Sequence, residues 1–374
     1  MRRLARVLMI ACAAIVAAGP GFSRTDGAAT PPSIDDAAFW SLVSRMSEGA
    51  GQFRPTGGYV SDNLVSNERS FQQPMSRLTP TGDVYIGVGP EQNFSYIAQL
   101  EPSIAFIVDV RRDNLLLHLL FKALFDQAAT RVEYLSLLVG RATPPGIDGW
   151  RDAPIDRIVG QIDRAPRVKD LDALRTRVAE AVKRSGVALS ADDLATVARF
   201  HQRFIDDGLD LQFNSAGRAP REYYPTYRDL LRETDAEGRQ ANYLASDEAF
   251  QYVRDLQQRG LVIPVVGDLS GPTTLAAVGR LIAARRETLS ALYASNVEFY
   301  LYGQGTFPRF AGNLRQIPHD NRSVIIRSVF GRYLGIGRPA DVSTSQLDSV
   351  SDLLDAFGGG RLRSYGELVS RKDK

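Results

Sequence analysis

Cysteine and histidine are scarce in this chain: one Cys, at position 12, and three His in 374 residues. Cys12 lies in a stretch that reads as a leader. Once the leader is removed, the protein has no thiol for a disulfide, a nucleophile or a thiolate metal site. His118, His201 and His319 share no metal-ligand spacing, so no metal is expected. An excess of one charge is also lacking. The 45 basic residues barely exceed the 43 acidic ones, and without Arg2, Arg3 and Arg6 they no longer do. That balance excludes the strong positive field of a nucleic-acid binder. No G-x-S-x-G elbow, P-loop or Ser-His-Asp order occurs, which gives hydrolase and kinase readings little support.

The N-terminus carries the three parts of a secretory signal. Arg2, Arg3 and Arg6 precede an apolar stretch, Val7 to Ala18, that is short for a membrane span. Val16 and Ala18 then place small residues at the −3 and −1 positions of a cleavage site. The pattern predicts an exported, periplasmic protein with residues 1–18 as signal peptide and no stable span after cleavage. An uncleaved anchor, a misplaced start codon and lipidation at Cys12 are the competing readings. Residues 19–35, rich in Gly, Ala, Pro, Ser and Thr, read as a flexible lead-in. The remaining chain, with 44% hydrophobic and 24% charged residues overall, has ample material for a core.

The most informative stretch is 83–114, DVYIGVGPEQNFSYIAQLEPSIAFIVDVRRDN. An apolar run, Val84 to Ile86, leads into Gly87-Val88-Gly89, then a helix-like segment, Glu91 to Leu100. A second apolar run, Ile104 to Val108, ends in Asp109. Strand, glycine turn, helix, strand and terminal carboxylate make the first half of a nucleotide-binding unit. Asn114 to Leu138 repeats leucines at helical spacing. Residues 150–255 contain few strand-like runs and predict a helical insertion, too long for one crossover. Leu261 to Val266 predicts a strand, although Pro264 argues against a central place for it. Thr288 to Tyr293 and Ser323 to Ile326 predict two more, and Ser343 to Phe357 a late helix. The whole reads as an α/β fold with a doubly wound, mostly parallel sheet. Its segments are 36–149 for the N-terminal part and first half of the core, 150–255 for the insertion, and 256–374 for the second half.

Tyr85 to Lys122 together with Ile263 to Gly271 resembles the class I S-adenosylmethionine-dependent methyltransferase core. More closely, the chain resembles a little-characterised bacterial family built on that core and often exported. The segments concerned are GGYVSDNLVSNE (57–68), VGPEQNFSYIA (88–98), FIVDVRRDNLLLHLLFKALF (106–125), VVGDLSGP (265–272) and ALYASNVEFYL (291–301). The resemblance implies a small-molecule ligand, S-adenosylmethionine or a related nucleoside. It implies that Gly87 and Gly89 form the cofactor turn, that Asp109 holds the ribose hydroxyls and that Asp268 approaches the adenine amino group. Ser295, Asn296 and Glu298 would face the donor methyl, with Asn296 and Glu298 the catalytic candidates. Asp62, Asn63, Asn67 and Glu68 form a polar loop read as a substrate-side lip.

Two departures weigh against a full transfer of that chemistry. Tyr85 stands where such turns carry an acid, and Glu91 replaces the third glycine. A carboxylate at a helix start suits the helix dipole but competes with a pyrophosphate for the same place. The export signal also conflicts with a cytosolic cofactor. A non-catalytic exported binding or scaffold protein with a vestigial crevice is therefore the alternative. Each residue also has a purely structural reading: a tight turn for Gly87 and Gly89, a helix cap or ion-pair partner for Asp109 and Asp268, a hydrogen-bonded loop for 61–68.

Overall fold

A computed structural model describes residues 33–51, 61–215, 221, 223–235, 237–333 and 343–371. The signal peptide, nearly all of the lead-in and residues 57–60 of the glycine-containing loop lie outside these. The described elements run α1 (Asp36–Met46), β1 (Val84–Gly87), α2 (Gln92–Leu100), β2 (Ile104–Asp109), α3 (Arg112–Gln127) and α4 (Arg131–Leu138). They continue with α5 (Ile155–Arg164), α6 (Leu171–Lys183), α7 (Ala191–Asp207), α8 (Tyr227–Arg232), α9 (Asp247–Gln258) and β3 (Val262–Val266). The chain then forms α10 (Thr274–Arg285), β4 (Leu289–Ser295), α11 (Val297–Gly303), α12 (Phe307–Arg315), β5 (Val324–Phe330), β6 (Ser343–Ser349), α13 (Val350–Gly358) and α14 (Tyr365–Val369).

The six strands form one sheet in the order β3-β2-β1-β4-β5-β6. The first five are parallel, and β6 runs antiparallel to β5. The fold is thus α/β with a mostly parallel sheet. Every residue of β1 and β3 is buried, because helices cover both faces of a parallel sheet. Winding reverses between β1 and β4, hydrogen-bonded neighbours in which Val84 pairs with Leu289, 205 positions on. Their carboxyl ends therefore diverge into loops on either side and leave a crevice, the usual ligand position in open α/β sheets. Pro264 is tolerated because β3 is an edge strand.

Helices α3 to α9 all fall between β2 and β3, and no strand of the sheet comes from that stretch among the described residues. Helix α3 is buried along most of its length, packing on β3 on one side and on α6, α7 and α9 on the other. The expected single helix over Asn114 to Leu138 is in fact two. Ala128 ends α3 in an extended conformation, and Thr130 caps α4 through a reciprocal bond pattern with Glu133. That Thr-x-x-Glu capping box satisfies helix-end N–H groups that a continuous helix would not leave open.

The expected late helix over Ser343 to Phe357 also needs correcting. Its first half is strand β6, with the alternating burial of an edge strand, and only Val350 onward is helical, capped by Ser349. Ser-Thr-Ser-Gln-Leu-Asp-Ser carries almost no apolar residue to reveal a period of two. Among the described residues no helix is long and apolar enough to cross a membrane.

Candidate functional site

A crevice with a cavity volume of about 150 Å³ opens at the carboxyl ends of β1, β2, β3 and β4. Its floor is the glycine turn after β1. Asn93, the second residue of α2, donates through Nδ2 to the carbonyls of Val88, Gly89 and Pro90 at 2.9, 3.2 and 2.7 Å. Its Oδ1 accepts from the Tyr85 hydroxyl at 2.8 Å. One buried amide therefore holds the whole turn. Tyr85, which stands where the methyltransferase pattern has an acid, serves to orient that amide.

The two glycines of the turn do different work. Gly89 lines the crevice at φ +80°, a conformation that a side chain resists. Gly87 does not line it. A Cβ there would overlap the Asn93 carboxamide and stand 2.6 Å from the Tyr85 hydroxyl, so Gly87 serves internal packing.

Asp109 and Asp268 both reach the crevice. Asp109 is engaged by Arg111, whose Nε and one terminal nitrogen donate to the two carboxylate oxygens at 3.0 and 2.7 Å; the Arg111 backbone N–H adds a third bond at 2.9 Å. Asp268 accepts from the Ser270 N–H and hydroxyl at 2.7 and 2.9 Å, both on Oδ1. The N-terminus of α10 just beyond it is occupied by a protein carboxylate. Glu48, two residues past α1, accepts from the Thr273 and Thr274 N–H groups at 2.8 and 2.9 Å. An anion of a ligand would find that place taken.

The loop 61–68 forms the opposite wall, with Ser61, Asn63, Ser66, Asn67 and Glu68 in the lining. Asp62 turns away from the crevice and accepts from the Asn214 N–H at 3.2 Å; burial raises its pKa. Glu68, 2% exposed, accepts four side-chain hydrogen bonds. Its Oε2 accepts from the Tyr293 hydroxyl at 2.6 Å, from Gln92 at 3.2 Å and from the Ser328 hydroxyl; its Oε1 accepts from the Ser295 hydroxyl. Burial raises its pKa against the pull of these donors. Phe213 and Tyr300 add aromatic walls.

At the end of β4, Asn296 lines the crevice and Glu298 does not. Glu298 is buried beneath it, paired with Arg327 of β5 at 2.6 and 3.3 Å, and Arg327 also reaches Asp348 of β6 at 3.4 Å. Glu298 as a base facing the donor methyl is corrected on this ground: its carboxylate neutralises a buried guanidinium.

Behind the turn, Glu91 is buried at the start of α2, and burial pushes its pKa up to about 8. It is a neutral acid at pH 7, so it does not repel an anion as the sequence implied. His118 donates from Nε2 to the Gly89 carbonyl at 2.9 Å, and burial holds its pKa near 4. Among the described residues no cluster of three His, Cys, Asp or Glu side chains is placed to hold a metal ion.

A domain of unknown function, DUF7790, matches residues 63–143 and 178–356, more than half of the chain. The chain belongs to the DUF7790 family. The DUF7790 match takes in every crevice residue named above except Ser61, and passes over 144–177, where α5 lies. No curated protein matches the chain.

Arg111, Glu48, Asn93, Tyr293 and Ser328 were not singled out from the sequence. Arg111 alone had a local signal, since a basic residue two places after a strand-end acid can fold back on it.

Proposed function

We propose that this DUF7790 protein binds a phosphate-free nucleoside-type ligand, S-adenosylmethionine or a relative, in the crevice between β1 and β4. In this reading the fold is a methyltransferase-like Rossmann core, and Gly89, Asp109, Asp268 and Asn296 form the ligand side. The observation that carries it is the meeting of a left-handed glycine turn and two strand-end carboxylates in one crevice at the switch point. The lining supports an uncharged or cationic ligand. Glu68, Asp109 and Asp268 face a single described cation, Arg111, already paired. The start of α10 already holds the Glu48 carboxylate, which disfavours a phosphate there.

A second reading is favoured by the Asp109–Arg111 pair. Both oxygens of Asp109 are already engaged, so ribose hydroxyls would have to share them or displace Arg111. An exported, non-catalytic binding protein with a vestigial crevice needs no such exchange. Thermal-shift titration with S-adenosylhomocysteine separates the two. The nucleoside reading requires a rise in midpoint for the wild type that Asp268→Ala removes; no rise supports the vestigial crevice. A fusion of residues 1–40 to a reporter active only in the periplasm tests the export on which that second reading rests, and silence there removes its main support.

A further inference from the structure

Ser295 is the one non-glycine residue at a strand-to-helix junction of the crevice with a positive φ, +50°. It ends β4, where the pairing with β5 slips between Tyr293 and Ser295, and α11 begins two residues later. Backbone strain of this kind, at a sharp strand-to-helix turn, projects the side chain out from the sheet toward the ligand side. The chain reaches this geometry with Tyr293 and Val297 where the G-x-S-x-G pattern has glycines. Ser295 is partly exposed and lines the crevice. Its hydroxyl donates to Oε1 of Glu68.

The distribution of bonds on Glu68 is asymmetric. Tyr293, Gln92 and Ser328 all donate to Oε2, and Ser295 alone to Oε1. The three donors hold negative charge on Oε2, so a proton leaving Ser295 has a defined place to go. The three partners of Oε2 are buried, so the carboxylate is held in one orientation. A hydroxyl that donates to a buried, oriented carboxylate is the arrangement that general-base activation of an alcohol needs.

We infer that Ser295 is a covalent nucleophile, with Glu68 as the base that takes its proton, in acyl transfer from a small uncharged or cationic ester. Ser295 Oγ attacks the acyl carbon and its proton passes to Oε1 of Glu68. The bond from the acyl carbon to the leaving alkoxide breaks, and the alkoxide takes that proton and departs as the alcohol. Water then attacks the acyl-serine, giving a proton to Glu68. The Oγ–acyl bond breaks, the proton returns to Oγ, and a carboxylic acid is released. Ester and water are consumed and acid and alcohol formed, with no other reactant. The small crevice limits the acyl group, and Asp109 and Asp268 disfavour an anionic one. Burial raises the pKa of Glu68, which makes it a stronger base once ionised. This activity does not depend on nucleoside binding.

The test is labelling of the full-length protein with a small alkyl fluorophosphonate, with the adduct mapped by peptide mass spectrometry. The expected result is an adduct on Ser295 in the wild type and none in Ser295→Ala, whose melting temperature stays near that of the wild type. Glu68→Gln is expected to slow labelling about 100-fold or more. Should Glu68→Gln fail to fold, the wild-type pH profile takes its place: labelling must rise with pH to a plateau as Glu68 ionises. No adduct on the wild type, the same adduct in Ser295→Ala, or a rate independent of pH and of Glu68→Gln overturns the assignment.

Discussion

Tyr85 and Asn93 meet across the glycine turn, the phenol donating to the carboxamide oxygen at 2.8 Å in the space that a Cβ on Gly87 would need. Gly87→Ala must therefore push the Asn93 carboxamide aside and release three turn carbonyls. A loss of about 1–3 kcal/mol in unfolding free energy is expected, the usual cost of overpacking a core. Chemical denaturation measures it. Gly89→Ala faces open space, with Asn63 Nδ2 3.8 Å away, and should cost about 1–2 kcal/mol through its φ alone. On the nucleoside reading the larger difference between them should lie in ligand binding, which only Gly89→Ala, in the crevice lining, should reduce directly.

Glu91 makes stability depend on pH. Its folded pKa is about 8 against an ordinary 4.5, so the folded state holds a proton that the unfolded state has lost. Its contribution is fully present below about pH 4.5, declines as pH rises, and is gone above about pH 8. Glu91→Gln removes the ionisation, so the variant should match or trail the wild type at pH 5 and exceed it at pH 9. Glu233, also raised to about 8 by burial, acts in the same direction in both proteins. The difference between variant and wild type therefore isolates Glu91. Urea midpoints at the two pH values provide the check.

Glu298 and Arg327 are both at most 2% exposed at their side chains. Glu298→Ala leaves a buried guanidinium with Asp348 as its remaining partner, and a loss of about 3–5 kcal/mol is expected. Glu298→Gln should lose less. Neither should change the Ser295 labelling rate in the folded fraction beyond a few-fold. A large rate loss in Glu298→Gln, with stability retained, would return Glu298 to the chemistry.

The local parts of this architecture were readable in the chain. The strand, glycine turn, helix and strand over 83–109 follow from apolar runs and two glycines, and the edge position of β3 from Pro264. Strand β6 was hidden because its residues are Ser, Thr, Gln and Asp, held in the sheet by pairing with β5 rather than by apolar alternation. The break between α3 and α4 was written in Thr130 and Glu133 and was masked by the leucine repeat around it.

The site divides along the same line. Gly89, Asp109, Asp268, Asn296, Asn63, Asn67 and Glu68 line one crevice; the first four sit at or just past strand ends, and the last three in a polar run, both of which a pattern can mark. Gly87, Asp62 and Glu298 are drawn elsewhere by Asn93, Asn214 and Arg327, partners 6 to 152 residues away. Nothing local announces such partners. Glu48, which fills the α10 N-terminus from more than 220 residues upstream in the chain, could be found only once the fold brought α1 beside α10.

On the nucleoside reading, Asp109 and Arg111 set the threshold for a ribose. Asp109→Asn keeps the shape but removes the charge and one of the two acceptor oxygens that ribose hydroxyls would share, so on that reading it should weaken binding without unfolding the protein. Arg111→Ala should free both carboxylate oxygens and change affinity in the opposite direction, by about tenfold for one net hydrogen bond to a charged group. Equal loss in both variants would mean that Arg111 itself holds the ligand.

The most direct test of the central claim is calorimetric titration of the protein with S-adenosylhomocysteine and, separately, with adenosine diphosphate. The crevice predicts micromolar binding of the first, lost in Asp268→Ala, and none of the second, because Glu48 already occupies the helix start that a phosphate would take. Binding of the diphosphate, or no heat with S-adenosylhomocysteine, would contradict it.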